Sequence, residues 1–556
     1  MKLKKSLIAA SMITALGVTT LAGCSSDSNS GPSTPAGDGS LTIAKPDGPI
    51  TVENNNPWVG DSSAQRLGYA NALYEPLAIP NSVDPTADPV PWLASAFEWS
   101  DDFTSVAITA RDGVTWSDGE DFTADDIAFT FQLIKDTPAF DGSGLNIVDV
   151  VTEGNTVTVS FEESLFVKQN KVLLTRIVPE HVWNGAGDPT TFTNEGAVGT
   201  GPYTLTKFTS QSVELTSRED YWGGEVAVPT LYFVSYADNT ALTTALVNGD
   251  ADWSQIFIPN VQSAYIDKDP DHNVYWAPAG LGIDTLFVNT QTKPFNDVAF
   301  RQAINMVIDR NAHAEIAREG GVPVITSVTG LPTPVGDSFI SDEYQGVDYE
   351  VDVDGAKGIL EDAGYTWDGD TLVDPEGEDV TFDLTVPQGW ADYVTGISLI
   401  SDSVKALGVE ASVSTPDADN WTEDLGNGDF QAAIHWTDSA ETPYDFYSDQ
   451  MDGRFLEPMG ETANYNFGRF ESDEATAALE TYATTTNDAE RQAALETIEK
   501  IYVEEVPAMP IGTRPLISQY NTRDYVGWPS DEDPYSDADP TQPTMVYTLT
   551  KLQPAE

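Results

Sequence analysis

Residues 284–310, DTLFVNTQTKPFNDVAFRQAINMVIDR, contain both kinds of secondary structure from which a mixed fold is built. The first seven residues are a short apolar run bounded by polar residues, which is typical of a buried strand. Asn296 and Asp297 can cap a helix, and apolar side chains then recur at i, i+4, i+7 and i+8. These apolar residues are Phe300, Ile304, Val307 and Ile308. The stretch therefore predicts a strand followed by an amphipathic helix.

A second stretch, GVTWSDGEDFTADDIAFTFQLIKD (113–136), has the same order of signals. The Ser-Asp-Gly turn follows a short apolar run, and Thr123 with Asp126 forms a candidate N-cap pair. Apolar residues then recur at helical spacing. They are Ile127, Phe131 and Ile134. We predict a strand, a turn and a helix.

A third stretch, NTALTTALVNGDADWS (239–254), places three apolar side chains on one helical face. They are Leu242, Ala245 and Leu246. Gly249 stands where a helix ends, and a strand is predicted to begin near Asp252. No internal repeat is present. Because strand and helix signals alternate along these stretches, the whole chain is predicted to be mixed α/β.

The amino terminus is predicted to be a targeting segment. Its start is basic, residues 6–22 are apolar or small, and Leu-Ala-Gly-Cys ends at Cys24, the only cysteine. This ending resembles a bacterial lipobox, in which the thiol receives a diacylglycerol group and the peptide is cut before it. The alternative is an uncleaved transmembrane helix, since about 17 residues could just span a bilayer. Residues 24–40, rich in Ser, Gly and Pro, are predicted to be a lipidated flexible tether.

Composition excludes several classes of function. The 556 residues carry a formal net charge of −63, which disfavours nucleic acid and anionic lipid as partners. One cysteine cannot form an internal disulfide, and we find no HExxH, GxSxG or phosphate-binding loop motif. The four histidines are scattered, at positions 181, 272, 313 and 435. We therefore predict no catalytic residue, no metal and no cofactor.

Six blocks of sequence carry a resemblance to a known family. They are WLASAFEWSDDFTSVAITARDGVTWSDGEDFTADDIAFTF, VGTGPYTLTKF, DYWGG, ALVNGDADW, FVNTQTKPFNDVAFRQAINMVIDR and AKGILEDAGY. In this order they resemble family 5 solute-binding proteins of ABC importers, from about residue 50 to about residue 530. That family includes receptors for dipeptides, oligopeptides, nickel and some oligosaccharides.

The resemblance implies a two-lobed α/β fold with an extra subdomain on lobe I and two hinge strands between the lobes. The hinge candidates are 284–290 and 506–514. The implied domains are a signal peptide (1–23), the tether (24–40), lobe I (41–70), the extra subdomain (71–195), lobe I again (196–285), lobe II (286–507) and a return to lobe I (508–556).

Residues 350–361, EVDVDGAKGILE, resemble a calcium-binding loop, with acidic residues and a glycine at the spacing of an EF-hand. The first position is Glu rather than Asp, and Lys357 stands where an apolar residue normally packs. The family resemblance also makes 356–363 a helix. We therefore do not predict calcium binding.

Aromatic residues are the best candidates for contact with a ligand. Trp116, Trp183 and Trp222 lie inside the family blocks and are expected to be structural. The candidates at predicted strand ends or loops, where α/β lobes face a cleft, are Trp58, Trp253, Trp390 and Trp436. Peptide receptors of the family carry an Asp shortly after a Trp, where it pairs with the α-ammonium of the ligand. Asp438 follows Trp436 at a shorter spacing than usual.

The functional prediction is a lipid-anchored receptor on the extracellular face of the cell membrane. It captures oligopeptides by hinge closure and delivers them to an ABC permease and its ATPase, as a monomer and without catalysis. A cello-oligosaccharide or related oligosaccharide receptor of the same family is the alternative. A secreted glycosidase and a passive cell-wall adhesin are more distant alternatives.

Overall fold

The computed structural model describes residues 39–438 and 442–555, in a mixed α/β arrangement. The strands are β1 (Ser40–Lys45), β2 (Ala78–Ile79), β3 (Val90–Pro91), β4 (Ala94–Trp99), β5 (Ser105–Ala110), β6 (Ile147–Glu153), β7 (Thr156–Phe161), β8 (Tyr203–Phe208), β9 (Ser212–Ser217), β10 (Thr230–Ser235), β11 (Trp253–Ser254), β12 (Asn273–Trp276), β13 (Ile283–Val288), β14 (Thr366–Asp368), β15 (Thr371–Val373), β16 (Thr381–Thr385), β17 (Glu410–Ser414), β18 (Ala432–Trp436), β19 (Ala508–Thr513), β20 (Ser518–Asn521), β21 (Tyr525–Val526) and β22 (Gln553–Pro554). The α-helices are α1 (Ser63–Leu67), α2 (Ala70–Leu73), α3 (Ala124–Asp136), α4 (Gln169–Leu173), α5 (Glu180–Trp183), α6 (Asn239–Asn248), α7 (Val261–Ala264), α8 (Val298–Val307), α9 (Arg310–Ala312), α10 (Val353–Asp362), α11 (Ala391–Val404), α12 (Ala418–Asn427), α13 (Tyr444–Met451), α14 (Asp473–Thr484), α15 (Asp488–Glu505) and α16 (Met545–Lys551).

Lobe I is built on a seven-stranded sheet in the order β12-β20-β11-β1-β10-β9-β8. A separate four-stranded antiparallel sheet, β4-β5-β7-β6, packs against α3 and adds a subdomain to this lobe. Side chains from both sheets belong to one continuous apolar core. The subdomain is therefore packed firmly on the rest of lobe I.

Lobe II is built on a five-stranded sheet in the order β17-β16-β18-β13-β19. Strands β16, β17 and β18 are parallel, whereas β13 runs antiparallel to both of its neighbours. A core between this sheet and helices α8, α10 and α11 is separate from the core of lobe I. Helices α14 and α15 pack on each other and form a further apolar cluster with α13.

Within the described residues, the chain crosses between the two large sheets at 277–282 and at 514–517. The two hinge candidates of the sequence, 284–290 and 506–514, contain β13 and β19, which pair with each other in the sheet of lobe II. Every residue of both strands is buried. The crossing links themselves are thus the short segments that precede β13 and follow β19.

The local signals of the sequence are confirmed. Helix α3 begins with a capping box in which the Thr123 side chain and Asp126 satisfy each other's backbone donors. Helix α6 ends at Gly249, which adopts φ 76° in the left-handed region, where glycine carries no Cβ strain. Residues 353–362 form helix α10, capped by Asp352, so this stretch is not an EF-hand loop.

Helix lengths and hydropathy bear on membrane association. None of the helices formed by residues 39–438 and 442–555 combines the length and the apolar character that crossing a bilayer requires. The predicted signal peptide and Cys24 lie outside the described residues.

Candidate functional site

The candidate site lies at one edge of the lobe II sheet. Strands β16, β18 and β19 all end at this edge, and β13 begins there, since Asp284 pairs with both Trp436 and Gly512. The crossing links also meet the sheet at this edge, so the edge faces lobe I. Ligands of α/β sheets bind outside the carboxyl ends of the strands.

Five rings form an aromatic shelf at this edge: Trp390, Tyr393, Trp421, His435 and Trp436. The ring centre of Trp390 lies 5.6 Å from that of Tyr393, 5.4 Å from Trp421 and 6.0 Å from Trp436. His435 stacks on Trp436 at 4.0 Å and 19°. Trp421 is buried, whereas Trp390 and Trp436 are half-buried. The shelf can therefore contact flat or apolar parts of a ligand.

His435 is the polar member of the shelf. Burial lowers its pKa to about 4, and the nearby Arg514 acts in the same direction. Its Nδ1 lies 2.9 Å from the carbonyl oxygen of Trp436, which can only accept, so Nδ1 carries the proton. At neutral pH the shelf is therefore uncharged.

A buried ion network lies beside the shelf, formed by Asp284, Arg318, Asp392 and Tyr393. Arg318 donates to the carboxylates of Asp284 and Asp392, and the Tyr393 hydroxyl donates to the other oxygen of Asp284 at 2.6 Å. The side chains of Arg318 and Asp284 are 7% and 1% exposed. Burial acts to lower the pKa of Arg318, but the two carboxylates raise it on balance. Phe257 of lobe I lies 5.8 Å from the Arg318 guanidinium, so the network also contacts the opposite lobe.

Three carboxylates after β18 form an acidic trio: Asp438, Asp445 and Asp449. Asp438 is exposed, and the Tyr465 hydroxyl donates to its carboxylate at 3.2 Å. Its backbone N–H donates to Asp449 at 2.7 Å. Burial raises the pKa of Asp449 and of Asp445, while Lys171 of lobe I partly offsets both shifts. The trio therefore borders lobe I and favours a cation.

A gap between the lobes opens beside the crossing links. Its volume is about 500 Å³, and its walls include Tyr275 and Trp276 from lobe I and Glu319 from lobe II. The backbone N–H of Asn260 in lobe I donates to the Glu319 carboxylate. The two lobes therefore touch at this gap.

The structure brings two of the predicted tryptophans together, Trp390 and Trp436, and places Asp438 two residues beyond the shelf. Trp253 is elsewhere: it is fully buried, donates its indole N–H to Ala538 at 2.7 Å and packs on Trp528. The reason is that β11 lies between β1 and β20 inside the large sheet, where the carboxyl-terminal segment covers it. Its ring is not available to a ligand, so the prediction for Trp253 does not fit this structure.

Trp58 also lies away from the shelf. Its ring stacks on Phe140 at 5.9 Å, at the border of the lobe I core, and it is half-buried. Its backbone N–H donates to Asn56. A ligand contact by Trp58 stays a prediction.

Sequence reasoning missed Tyr393, Trp421, His435, Arg318 and Arg514. Tyr393 follows Trp390 by three residues at the start of a helix, a spacing that brings side chains together. Arg514 directly follows an apolar predicted strand. A basic residue at a strand end stands out in a chain with only 26 of them, so the sequence could have indicated Arg514 as a site residue. Arg318 had none, because its partners are 34 and 74 residues away.

Among residues 39–438 and 442–555, no three His, Cys, Asp or Glu side chains are arranged to hold a metal ion.

Comparison with known proteins gives a consistent family. A family model described as bacterial extracellular solute-binding proteins, family 5 Middle, matches residues 88–454. Protein XP55 of Streptomyces lividans is 29% identical over 337 residues, which cover 58% of this chain and 58% of that protein. The dipeptide-binding protein of Escherichia coli is 24% identical over 398 residues, covering 65% of this chain and 70% of that protein.

Solved structures show the fold. A periplasmic oligopeptide-binding protein of an ABC transporter from Thermotoga maritima matches with a TM-score of 0.82 at 22% identity, covering 93% of this chain and 99% of that chain. A structure of the oligopeptide-binding protein from the same organism with bound mannohexaose matches with a TM-score of 0.74 at 21% identity, covering 94% and 100%. The architecture is therefore the two-lobed fold of these binding proteins.

Proposed function

The chain belongs to the bacterial extracellular solute-binding proteins of family 5, and from that premise we propose that it is the receptor of an ABC importer for oligopeptides. The ligand is held between the lobes on the aromatic shelf, and closure of the lobes presents it to the permease. Binding alone performs this function, because only a difference in affinity between open and closed forms drives closure.

The position of the shelf carries the proposal. Trp390 and Trp436 are half-buried at the edge of the lobe II sheet that meets both crossing links and faces lobe I. A ligand there touches both lobes, which is what closure requires. Rings of this kind accept varied side chains, because they offer area without demanding one hydrogen-bond pattern.

The acidic trio supports peptide as the ligand class. Asp438 is exposed beside the shelf, and the buried carboxylates of Asp445 and Asp449 lie near it, so an α-ammonium group is favoured there. The related proteins from Escherichia coli and Thermotoga maritima are described as dipeptide-binding and oligopeptide-binding.

An oligosaccharide is the second candidate ligand. Tryptophan faces stack on sugar rings, and a similar protein described as oligopeptide-binding was solved with mannohexaose. In this chain, however, Trp436 already has His435 and Arg514 within 5 Å of its ring centre, at 4.0 and 4.7 Å. Trp390 is therefore the main ring surface left for a sugar.

Calorimetric titration tests the choice between the two ligands. The protein is titrated with di- to hexa-alanine and with cello-, xylo- and manno-oligosaccharides, and native mass spectrometry identifies any solute that copurifies. We expect peptide binding and a copurified peptide. Micromolar binding of a neutral oligosaccharide, with no heat from any peptide, would replace the proposal by the sugar receptor.

Asp438→Asn tests the same choice between peptide and oligosaccharide at one residue. Removing one partner of a charge pair that the ligand desolvates costs about 2–5 kcal/mol, so peptide affinity should fall at least about tenfold. N-acetylated peptides should bind the native protein poorly. Unchanged peptide affinity in Asp438→Asn would remove Asp438 from the site.

Anchoring through a lipid on Cys24 is also part of the proposal. It rests on the Leu-Ala-Gly-Cys ending of the apolar segment. Two acyl chains hold a protein firmly at a membrane, because each buried CH₂ contributes about 0.8 kcal/mol. Cys24→Ser should release the protein from the membrane fraction, measured by fractionation and by the mass of the amino-terminal peptide. Retention in that fraction without lipid would indicate a transmembrane helix.

A further inference from the structure

Arg514 lies in the second crossing link, directly after β19. Its backbone N–H donates to the Gly282 carbonyl at 3.1 Å in the first link, which fixes its position between the lobes. Its side chain is exposed, and its guanidinium carbon lies 4.7 Å from the ring centre of Trp436. The arginine thus covers part of the aromatic shelf.

The guanidinium of Arg514 has no acceptor among the described residues. Other arginines of lobe II donate to carboxylates or carbonyls. They are Arg301, Arg310, Arg318, Arg454, Arg469 and Arg491. The chain has 89 acidic residues for 26 basic ones, so a guanidinium that no described acid neutralises is unusual here. Its place on the shelf suggests that a ligand supplies the acceptor.

The position over Trp436 prepares Arg514 for one kind of partner. Its guanidinium carbon lies over the indole ring and the group donates to no described acceptor, so its N–H groups are free to match the two oxygens of a carboxylate. Because the rest of the surface repels anions, an anionic ligand needs such a local cation. His435 beside it is neutral at neutral pH, so Arg514 rather than His435 supplies the positive charge for an anionic ligand here.

We infer that Arg514 binds a carboxylate of the ligand and makes the site selective for anionic over neutral ligand ends. This inference rests on the proposed receptor function and narrows its substrate class. In a peptide the carboxylate is the free C-terminus. In an oligosaccharide it is a uronic acid.

The test combines a change in the protein with a change in the ligand. Native protein, Arg514→Gln and Arg514→Lys are titrated calorimetrically with di- to hexa-alanine and with the C-terminal amide of each peptide. We expect the native protein to prefer the acid by about tenfold or more, Arg514→Gln to bind acid and amide equally, and Arg514→Lys to retain part of the preference. Arg523→Gln, which removes an exposed arginine paired with Asp269 in lobe I, should keep the full preference.

Two results would overturn the inference: equal native affinity for acid and amide, or an equal loss of both in Arg514→Gln. If no peptide binds at all, the peptide proposal fails and the inference is tested on sugars. Xylo-oligosaccharides with and without a glucuronate branch are then compared at equal length. Preference for the acidic sugar that Arg514→Gln abolishes would support the role of Arg514, and its absence would overturn it.

Discussion

Beside the crossing links, the contact between the lobes includes a buried ion network, whereas at the extra subdomain it includes a phenylalanine on an arginine and a buried valine. Phe257 of lobe I lies over Arg318, whose charge is held by two carboxylates. Phe166 of the subdomain lies 3.6 Å from the guanidinium of Arg491 in lobe II and 6.1 Å from the ring of Tyr482. The neighbouring Val167 is buried in the apolar cluster of α13, α14 and α15.

These two contacts differ in what separation of the lobes would cost. The ion network has its charges and their partners within lobe II, so it stays complete if Phe257 moves away. The Phe166 contact is shared between the lobes, and breaking it exposes the aromatic ring and one face of the Arg491 guanidinium, which keeps its hydrogen bonds within lobe II. A ring over an arginine contributes about 0.5–2 kcal/mol. We therefore expect the network to act as a fixed pivot and the Phe166 contact to open and close.

Arg318→Met should break the pivot and give the largest effect. Asp284 and Asp392 are left buried without a counter-charge, which costs about 3–5 kcal/mol of unfolding free energy. Urea unfolding measures the loss. The triple variant Arg318→Met, Asp284→Asn, Asp392→Asn removes all three charges and should recover most of it. A loss below about 1 kcal/mol in the single variant would mean that the network is not essential to this region.

Low pH should also lower the free energy of unfolding, because His313 is buried next to the ion network. This side chain is 3% exposed between Gly396 and Gly512, and burial lowers its pKa to about 4. Asp284 raises this pKa, and the nearby arginines lower it. The unfolded chain takes up the proton near pH 6.5, so the stabilising contribution is full above that pH and is lost as pH falls towards 4.

His313→Gln removes this titration. Between pH 6.5 and pH 4, native protein should lose about 3 kcal/mol more unfolding free energy than His313→Gln. The comparison uses the slopes of the two profiles, so a uniform loss of stability in the variant does not affect it. Parallel profiles would show that His313 does not titrate with unfolding.

Phe166→Ala should have the smallest effect on stability and a clear effect on ligand binding. It removes a contact between the subdomain and lobe II that the proposed closure would form, so ligand affinity should fall roughly threefold to tenfold while unfolding free energy changes by about 1 kcal/mol or less. Phe129→Ala is the matched control, because Phe129 is also half-buried in the subdomain and lines a surface depression formed by subdomain residues alone. Equal losses of affinity in both variants would remove the special role of Phe166.

Parts of this structure that depend on neighbours in sequence could be predicted. The capping box of Thr123 and Asp126 and the helix stop at Gly249 involve residues within one or two turns. The two-lobed fold followed from blocks of sequence that resemble a family. That Trp390 and Trp436 lie at one edge of the sheet could be predicted, because residues at the carboxyl ends of parallel strands meet there.

Contacts between distant residues could not be predicted in the same way. Trp253 also lies on a strand, but the residue that accepts its indole N–H is 285 positions away, and the covering segment hides the ring. Arg514 reaches the shelf only because β19 and β18 flank the same strand, β13. Tertiary covering and strand order therefore decide which strand ends are open to a ligand.

Closure itself is tested most directly by small-angle X-ray scattering of native protein, with and without a saturating amount of the tightest ligand from the calorimetric series. The account predicts a smaller radius of gyration with ligand, an unchanged far-UV circular dichroism spectrum, and a weaker compaction in Phe166→Ala at the same ligand concentration. Identical dimensions with and without saturating ligand would contradict a receptor that closes its lobes on the solute.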